Sequence, residues 1–349
     1  MIEIDGAYGE GGGQIVRTAC SLAALTKQPC HIVNIRQARK QPGLRLQHLV
    51  AMRALSEFCG GTLQGGYIGS RELTFCPGST AARELCLEIA TAASITLIAQ
   101  CLIPAFLVAP EPRRMRFAGG ATDTAFAPPL DYFRYVFLPL LRNVGIDVTT
   151  HVARRGYYPT GGSDVTIEVE LAKPRPMIAT RRGELRRFRI LSSAAAILKR
   201  RKVAERQIEG ALPLLASVAA VPETSVEYAD SVSAGSATCI VAEFATSPIG
   251  ASALGARGKL AEQVGEEAAR QFLTVLESPA CLDPHMADQV LPYLALAASG
   301  SRVTVTDITA HCRTNMWVIE KFLPGKFKVE DRTICFEAGK DAHLVSRSV

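Results

Sequence analysis

The chain has 349 residues, 48% hydrophobic and 21% charged, with a formal charge of +6. This balance excludes an intrinsically disordered chain, and the length exceeds what one ordinary domain needs. The mild positive excess permits an anionic partner such as nucleotide or RNA without requiring one; the ten cysteines form no C-x-x-C pair or zinc spacing and, with no secretory signal, point to a reducing, cytoplasmic setting.

Ile2 to Ile4 reads as a short strand that runs into Asp5-Gly6-Ala7-Tyr8-Gly9-Glu10-Gly11-Gly12-Gly13-Gln14 and then a helix. Glycines let backbone N–H groups approach phosphate, and a helix N-terminus favours anions; a tight structural turn explains the same residues. No Gly-Lys-Ser/Thr follows, so this is not a P-loop. Glu10 would repel phosphate unless a divalent cation lay between them, so it is either a surface acid or a metal ligand.

Arg36, Arg39, Lys40 and Arg45 surround a Pro-Gly turn, with Gln47 and His48 at the helix start that follows. Guanidinium forks match phosphate groups, and a solvated basic loop is the plain alternative. The period predicts a helix over Gln47 to Cys59, a stop at Gly60-Gly61 and a strand from Thr62. Ile89 to Ala109 is apolar and long enough to span a membrane, but Gln100 and Pro104 interrupt it. It reads as a buried helix continuing into a strand, with no membrane involved, and Gln100 there needs a polar partner, structural or ligand. Tyr132 to Val144 predicts a helix, Gly145 a stop, and Ile146 to Val152 a strand; Asn315 to Phe322, Pro324-Gly325 and Phe327 to Val329 repeat the scheme. Such repetition predicts stacked α/β units.

Around Thr180 the composition shifts toward charge and alanine. Residues 181–276 read as a smaller α/β domain inserted into a larger one built from 1–180 and 277–349. Within it helices are expected near Arg201 to Leu215 and Lys259 to Leu276, and strands near Ser225 to Asp230 and Ala237 to Phe244. Its basic runs, Arg181 to Arg187 and Lys199 to Lys202, read as solvated faces. After it, Asp288 and Gln289 fall where the apolar run Val290 to Ala298 begins and read as helix caps. His311 lies between the strand Arg302 to Val305 and a helix from Met316. Neutral imidazole is a competent nucleophile near pH 7, but residue chemistry does not single out one of six histidines.

Together these segments resemble the RNA 3′-terminal phosphate cyclase family. The matching motifs are Asp-Gly-x-x-Gly-Glu-Gly-Gly-Gly-Gln-x-x-Arg at 5–17, Ile-Arg-x-x-Arg-x-x-Pro-Gly-Leu-x-x-Gln-His at 35–48, Ala-Pro-Pro-x-Asp-Tyr at 127–132, Arg-Gly-Tyr-Tyr-Pro-x-Gly-Gly at 155–162, Ala-Asp-Gln at 287–289 and His-x-x-Thr-Asn at 311–315. They run in family order over nearly the whole chain.

The resemblance implies an α/β (α+β) fold: a large domain of repeated βαβαββ-like units, enolpyruvyl-transferase-like, with a smaller α/β domain inserted. It implies ATP-dependent conversion of an RNA 3′-phosphate to a 2′,3′-cyclic phosphodiester, releasing AMP and pyrophosphate. His311 matches the histidine that becomes AMP-linked, with Arg17 and Arg39 beside it in the catalytic set. Glu10 matches the acid that binds Mg²⁺ or Mn²⁺. Gln100, Pro128, His285, Met286, Ala287, Asp288 and Gln289 match nucleotide-binding positions, and Arg17, Arg36, Arg39, Gln47 and His48 match positions that hold phosphates of the RNA end or of ATP. Two departures stand out: His285 where the family usually has Tyr, and Ser163 where it usually has a third glycine. Two other classes remain as contrasts. A non-catalytic RNA-binding relative acting in ribosome assembly would lack the nucleophile. An enolpyruvyl transferase would need no adenylate.

Overall fold

The computed structural model describes residues 1–79, 81–297 and 300–339. The chain begins with β1 (Ile2–Asp5), α1 (Gly13–Thr26), β2 (Cys30–Val33), α2 (Leu46–Cys59), β3 (Thr62–Gln64) and β4 (Leu73–Cys76). β1 runs parallel to β2, and β4 runs antiparallel to β2 and β3, giving the order β1-β2-β4-β3. α2 stops as its sequence predicts: Gly60 takes a left-handed φ of +61° and Gly61 N–H donates to the Ser56 carbonyl at 2.8 Å.

The pattern then recurs with β5 (Glu84–Ser94), α3 (Ile95–Phe106), β6 (Arg113–Ala121), α4 (Leu130–Tyr132), a π-helical turn over Phe133–Phe137, α5 (Leu138–Asn143), β7 (Val148–Arg154) and β8 (Asp164–Val169). Its strand order is β5-β6-β8-β7, with the same parallel and antiparallel pairings. The expectation of a helix passing into a strand over 89–109 is reversed here. Leu85, Leu87 and Ile89 are buried while Glu84, Cys86 and Glu88 are exposed, a period of two that makes a strand. Ser94 then caps the helix, its Oγ accepting from Leu97 N–H at 3.2 Å. Among the described residues no helix is long and apolar enough to cross a membrane.

After β9 (Ile178–Ala179) come β10 (Leu185–Ala195), a 3-10 turn over Ala196–Arg201, α6 (Val203–Leu215), β11 (Glu223–Ala229), β12 (Ser236–Phe244), β13 (Pro248–Leu254) and α7 (Ala261–Glu277). These strands form their own sheet, β11-β10-β12-β13, with α6 and α7 packed on it and a separate apolar cluster of Phe188, Ile190, Ile240, Ala268 and Phe272. Gly210 and Gly265 let the two helices touch backbone to backbone; a Cβ at either would collide with Glu262 or Gln207 main chain. The chain then runs through α8 (Pro284–Leu296), β14 (Arg302–Thr304), α9 (Ala310–Phe322), β15 (Gly325–Glu330) and β16 (Thr333–Ala338). β9 pairs parallel with β14, and β16 antiparallel with β14 and β15, which gives the β1-β2-β4-β3 arrangement a third time. The block from β10 to α7 therefore sits between the first strand and the first helix of the third unit. Ala298, the end of the apolar run after Val290, lies outside the described residues.

One basic run is not a solvated face throughout. Arg182 is buried and donates to the carbonyls of Val275, Leu276 and Ala280 at 2.8, 3.1 and 2.6 Å. These carbonyls close the end of α7, where a cation is favoured. Arg181, Arg186, Arg187 and Lys199 to Lys202 are exposed as expected, apart from this one residue. The main core is helical at its centre: α1 packs against α2, α3 and α9 through Ile15, Val16, Ala19, Cys20 and Leu22. Its alanine and cysteine side chains allow close approach, and its polar end points to the site.

Candidate functional site

Helices α1, α2, α3, α7, α8 and α9 all present residues to one cavity of about 1300 Å³. A single small-ligand pocket is typically about 300–1,000 Å³, so this one has room for a nucleotide and part of a second substrate.

The loop between β1 and α1 forms one wall. Gly9 and Gly11 adopt left-handed φ values of +58° and +56°, which a side chain would resist. Between them, Glu10 places Oε2 3.3 Å from His311 Nδ1 and 3.4 Å from Arg39 Nη2. His311 itself is not in a loop before Met316. α9 starts at Ala310, because Thr309 Oγ1 accepts from Cys312 N–H at 3.1 Å and caps it early. His311 thus occupies the first helical turn, a more rigid mount than a loop.

Behind it lies a web of polar side chains. Gln14 on α1 donates through Nε2 to the His311 carbonyl at 3.1 Å and to Asp288 Oδ2 at 3.3 Å. Asn315 donates to the Asp288 carbonyl at 2.9 Å and accepts from Thr18 Oγ1 at 2.9 Å. The position of Asp288 differs from that of a helix cap. α8 starts at Pro284, capped by Asp283, whose Oδ1 accepts from His285 and Met286 N–H at 3.0 Å each. Tyr132 donates to the same carboxylate at 2.6 Å. Asp288 and Gln289 therefore lie in the second turn, free of capping duty and directed at the cavity. Burial pushes the Asp288 carboxyl up to about 7, against the pull of Arg17 and with the repulsion of Asp283 and Glu10.

Gln100 on α3 lines the cavity and donates to Gln289 Oε1, which supplies the partner that its apolar helix demanded. Met286 and Ala287 are different: both side chains are fully buried in the core and neither lines the cavity. Alternate positions of one helix cannot all face one side, so the 285–289 segment offers only His285, Asp288 and Gln289. His285 is exposed at the rim. Pro128 also lines the rim, its carbonyl accepting from Thr96 Oγ1 at 2.7 Å.

The basic wall gathers Arg17, Arg36, Arg39, Arg45, Gln47 and His48. Arg36 holds the Pro-Gly turn, donating through Nη1 to the carbonyls of Gln41 and Gly43 at 2.8 and 3.0 Å. His48 Nδ1 accepts from Arg45 N–H at 3.1 Å, which leaves the proton on Nε2. Its pKa falls to about 3 because it is buried and because Arg17, Arg36 and Arg45 repel a further charge. Burial lowers the Arg17 pKa, with Cys101 and Asp288 opposing, and among the described residues no ion pair engages it. An anion would complete this wall.

Several lining residues have no counterpart in the sequence argument. Ser252, Ala253 and Leu254 of β13 and Glu267 and Gln271 of α7 also line the cavity. Phe126 is fully exposed at the rim with a left-handed φ of +62°, which a bulky residue rarely adopts. The signal for Phe126 was an aromatic residue just before Ala-Pro-Pro. Ser163, by contrast, is structural: its Oγ donates to the Gly119 carbonyl at 2.6 Å and it lies off the cavity.

Among the described residues no cluster of three or more His, Cys, Asp or Glu side chains has the geometry of a metal cage. The donor set still fits a nucleotide-borne divalent ion, which commonly takes one or two carboxylates and completes its shell with phosphate oxygens and water. Glu10, half-exposed on the cavity and 3.3 Å from His311 Nδ1, is the carboxylate beside the imidazole that could serve that purpose.

The model of a family described as RNA 3′-terminal phosphate cyclase matches residues 8–329. Curated relatives carry the same description. One from Pyrococcus furiosus is 40% identical over 331 residues, covering 95% of each chain. One from Pyrobaculum neutrophilum is 41% identical over 332 residues, covering 94% of this chain and 95% of the relative. One from Nitrosospira multiformis is 40% identical over 349 residues, covering 99% and 95%.

Proposed function

The chain belongs to the RNA 3′-terminal phosphate cyclase family, and from that premise we propose that it converts an RNA 3′-phosphate into a 2′,3′-cyclic phosphodiester at the expense of ATP, with His311 as a transient carrier of AMP. The observation that carries the reading is the position of His311: a rigidly mounted imidazole with a carboxylate 3.3 Å from Nδ1, between a polar nucleotide-sized wall and a basic wall.

Glu10 beside Nδ1 favours the proton on that nitrogen and the lone pair on Nε2. Nε2 attacks the α-phosphorus of ATP; the new N–P bond replaces the bond to pyrophosphate. The Glu10 carboxylate offsets the positive charge that develops on the ring. An oxygen of the RNA 3′-phosphate then takes the AMP, breaking the N–P bond and restoring the histidine. The vicinal 2′-hydroxyl attacks the activated 3′-phosphorus, AMP leaves, and the hydroxyl proton passes to solvent. The 2′-oxygen is already tethered beside its target, so ring closure needs little orientation.

Gln100, Gln289 and Asp288 would hold the adenosine, with Pro128 and His285 at its rim. Arg17, Arg36, Arg39, Gln47 and neutral His48 would hold the phosphates of the RNA end. Arg17 also acts electrostatically on Asp288 and can serve both substrates. A Mg²⁺ or Mn²⁺ ion at Glu10 would neutralise triphosphate charge. In the same reading residues 181–276 form an inserted domain, whose β13 and α7 contribute residues to the cavity that holds His311.

An oligoribonucleotide bearing a 3′-phosphate tests the substrate. With ATP it should become phosphatase-resistant with release of AMP, while the same oligomer with a terminal 2′-deoxyribose should stop at the adenylate and retain the AMP on its end. A ribo-ended oligomer that stays sensitive would overturn the proposal.

A further inference from the structure

The glycine loop makes a contact for which the reaction has no direct use. Tyr8 lies flat on Trp317, with ring centroids 4.1 Å apart and planes 11° from parallel. Lys321 Nζ sits 5.5 Å from the centre of the same indole. Trp317 and Thr314 belong to α9, the helix that mounts His311. Gly9 lies directly on that helix: a Cβ there would come within 2.5 Å of Thr314 Oγ1.

The loop's hydrogen bonds run within itself and to β2, where Gly6 N–H donates to the Val33 carbonyl at 2.7 Å. Ala7 N–H donates to Asp5 Oδ1 at 3.0 Å, Tyr8 N–H to the Asp5 carbonyl at 3.2 Å, and Gly11 N–H to the Tyr8 carbonyl at 3.0 Å. Among the described residues, no hydrogen bond joins residues 6–12 to α9. Glu10 is flanked by the two left-handed glycines and held otherwise by a half-exposed pair with Arg39. Exposed pairs of that kind are weak, and glycines leave a short loop freedom to swing. The aromatic stack is thus the main attachment of the loop to the helix that bears His311.

We propose that Tyr8 and Trp317 are positioning residues: their stack docks the glycine loop on α9 and keeps the Glu10 carboxylate at His311 Nδ1. The inference rests on His311 being the nucleophile. It makes a prediction that a general loss of stability does not: Tyr8 acts through Glu10, so removing both should cost no more than removing Glu10 alone.

The full-length protein is given α-labelled ATP and Mg²⁺ in single turnover at saturating ATP, and label on the protein is followed in time. Tyr8→Ala should slow labelling about two- to tenfold, the weight of one aromatic pair, Tyr8 being 41% exposed. Tyr8→Phe, which keeps the stack, should restore it. In a Glu10→Gln background, Tyr8→Ala should produce no further loss. A second readout is independent of turnover. Trp317 is the only tryptophan, so its quenching by acrylamide should rise in Tyr8→Ala and stay unchanged in Glu10→Gln. Labelling of Tyr8→Ala at the wild-type rate, or multiplicative losses in the double variant, would overturn the inference. Absence of label on the wild type would overturn the His311 reading itself, and this inference with it.

Discussion

Arg155→Met should destabilise the protein by about 3–5 kcal/mol, the cost of leaving buried acids without their cation. The side chain is 1% exposed. Its Nη2 donates to both oxygens of Asp131 at 2.8 and 2.9 Å, and its Nη1 to Asp123 at 3.3 Å. Nε and Nη2 also reach Glu227 on β11 at 2.9 and 2.7 Å. Asp123 and Asp131 are buried, whereas the Glu227 side chain is 45% exposed and adds little. Methionine fills the volume but pairs with neither acid. Burial already pushes Asp123 up despite Arg155, so without the arginine it takes a proton more readily. That limits the loss and makes it smaller in mild acid than in mild base. The measurement is urea unfolding followed by Trp317 emission, at about pH 5.5 and pH 8, with the slope expected unchanged. Adding Asp123→Asn and Asp131→Asn should recover more than half of the loss. A loss below about 1 kcal/mol would mean that the acids find other partners and that Arg155 is not what holds them. Asp131 lies two residues after the Pro128-Pro129 rim, so kcat/KM should fall too.

Other outcomes follow from the site. His48 has its folded pKa lowered to about 3, below its usual 6.5, so the stability it contributes is full above about pH 6.5 and is lost as pH falls toward 3. His48→Gln should flatten the stability curve there by up to about 1.4 kcal/mol per pH unit, and an unchanged slope would refute it. Asp288 has the opposite sign: its carboxyl, raised from 3.8 to about 7, favours folding less as pH climbs through that interval. Calorimetry in two buffers at about pH 6 should show Asp288→Asn releasing close to one proton fewer on unfolding; equal release would contradict the shift. Phe126 combines full exposure with a left-handed backbone, a strain of about 1 kcal/mol. Phe126→Asn should raise the denaturation midpoint while raising KM for at least one substrate; a less stable variant would remove the case for stored strain.

Much of the site was legible because its chemistry needs unusual residues in ordinary places. Gln100 in an apolar run and Glu10 among glycines violate local rules, and both face the cavity. The repeated unit was legible in part, through helices followed by Gly-stopped turns. What escaped was set by tertiary structure. The strand Glu84–Ser94 hides behind an Ala/Thr stretch, so its alternation reads as the front of a helix. The early starts of α8 and α9 depend on single caps, Asp283 and Thr309, that compete with better-looking polar residues downstream. Arg182 reads as one more surface cation until the end of α7 folds over it. Met286 and Ala287 follow a motif, but the helical period turns them inward. The walls contributed by β13 and α7 carry no chemical signature at all, since only the packing of the chain brings them to the same cavity as His311.

The central claim is that His311 carries AMP. Wild-type protein incubated with α-labelled ATP and Mg²⁺ should retain acid-labile, alkali-stable label that transfers to an RNA 3′-phosphate, and His311→Ala should retain none. A wild type that takes up no label, or a His311→Ala variant that labels equally, would contradict it.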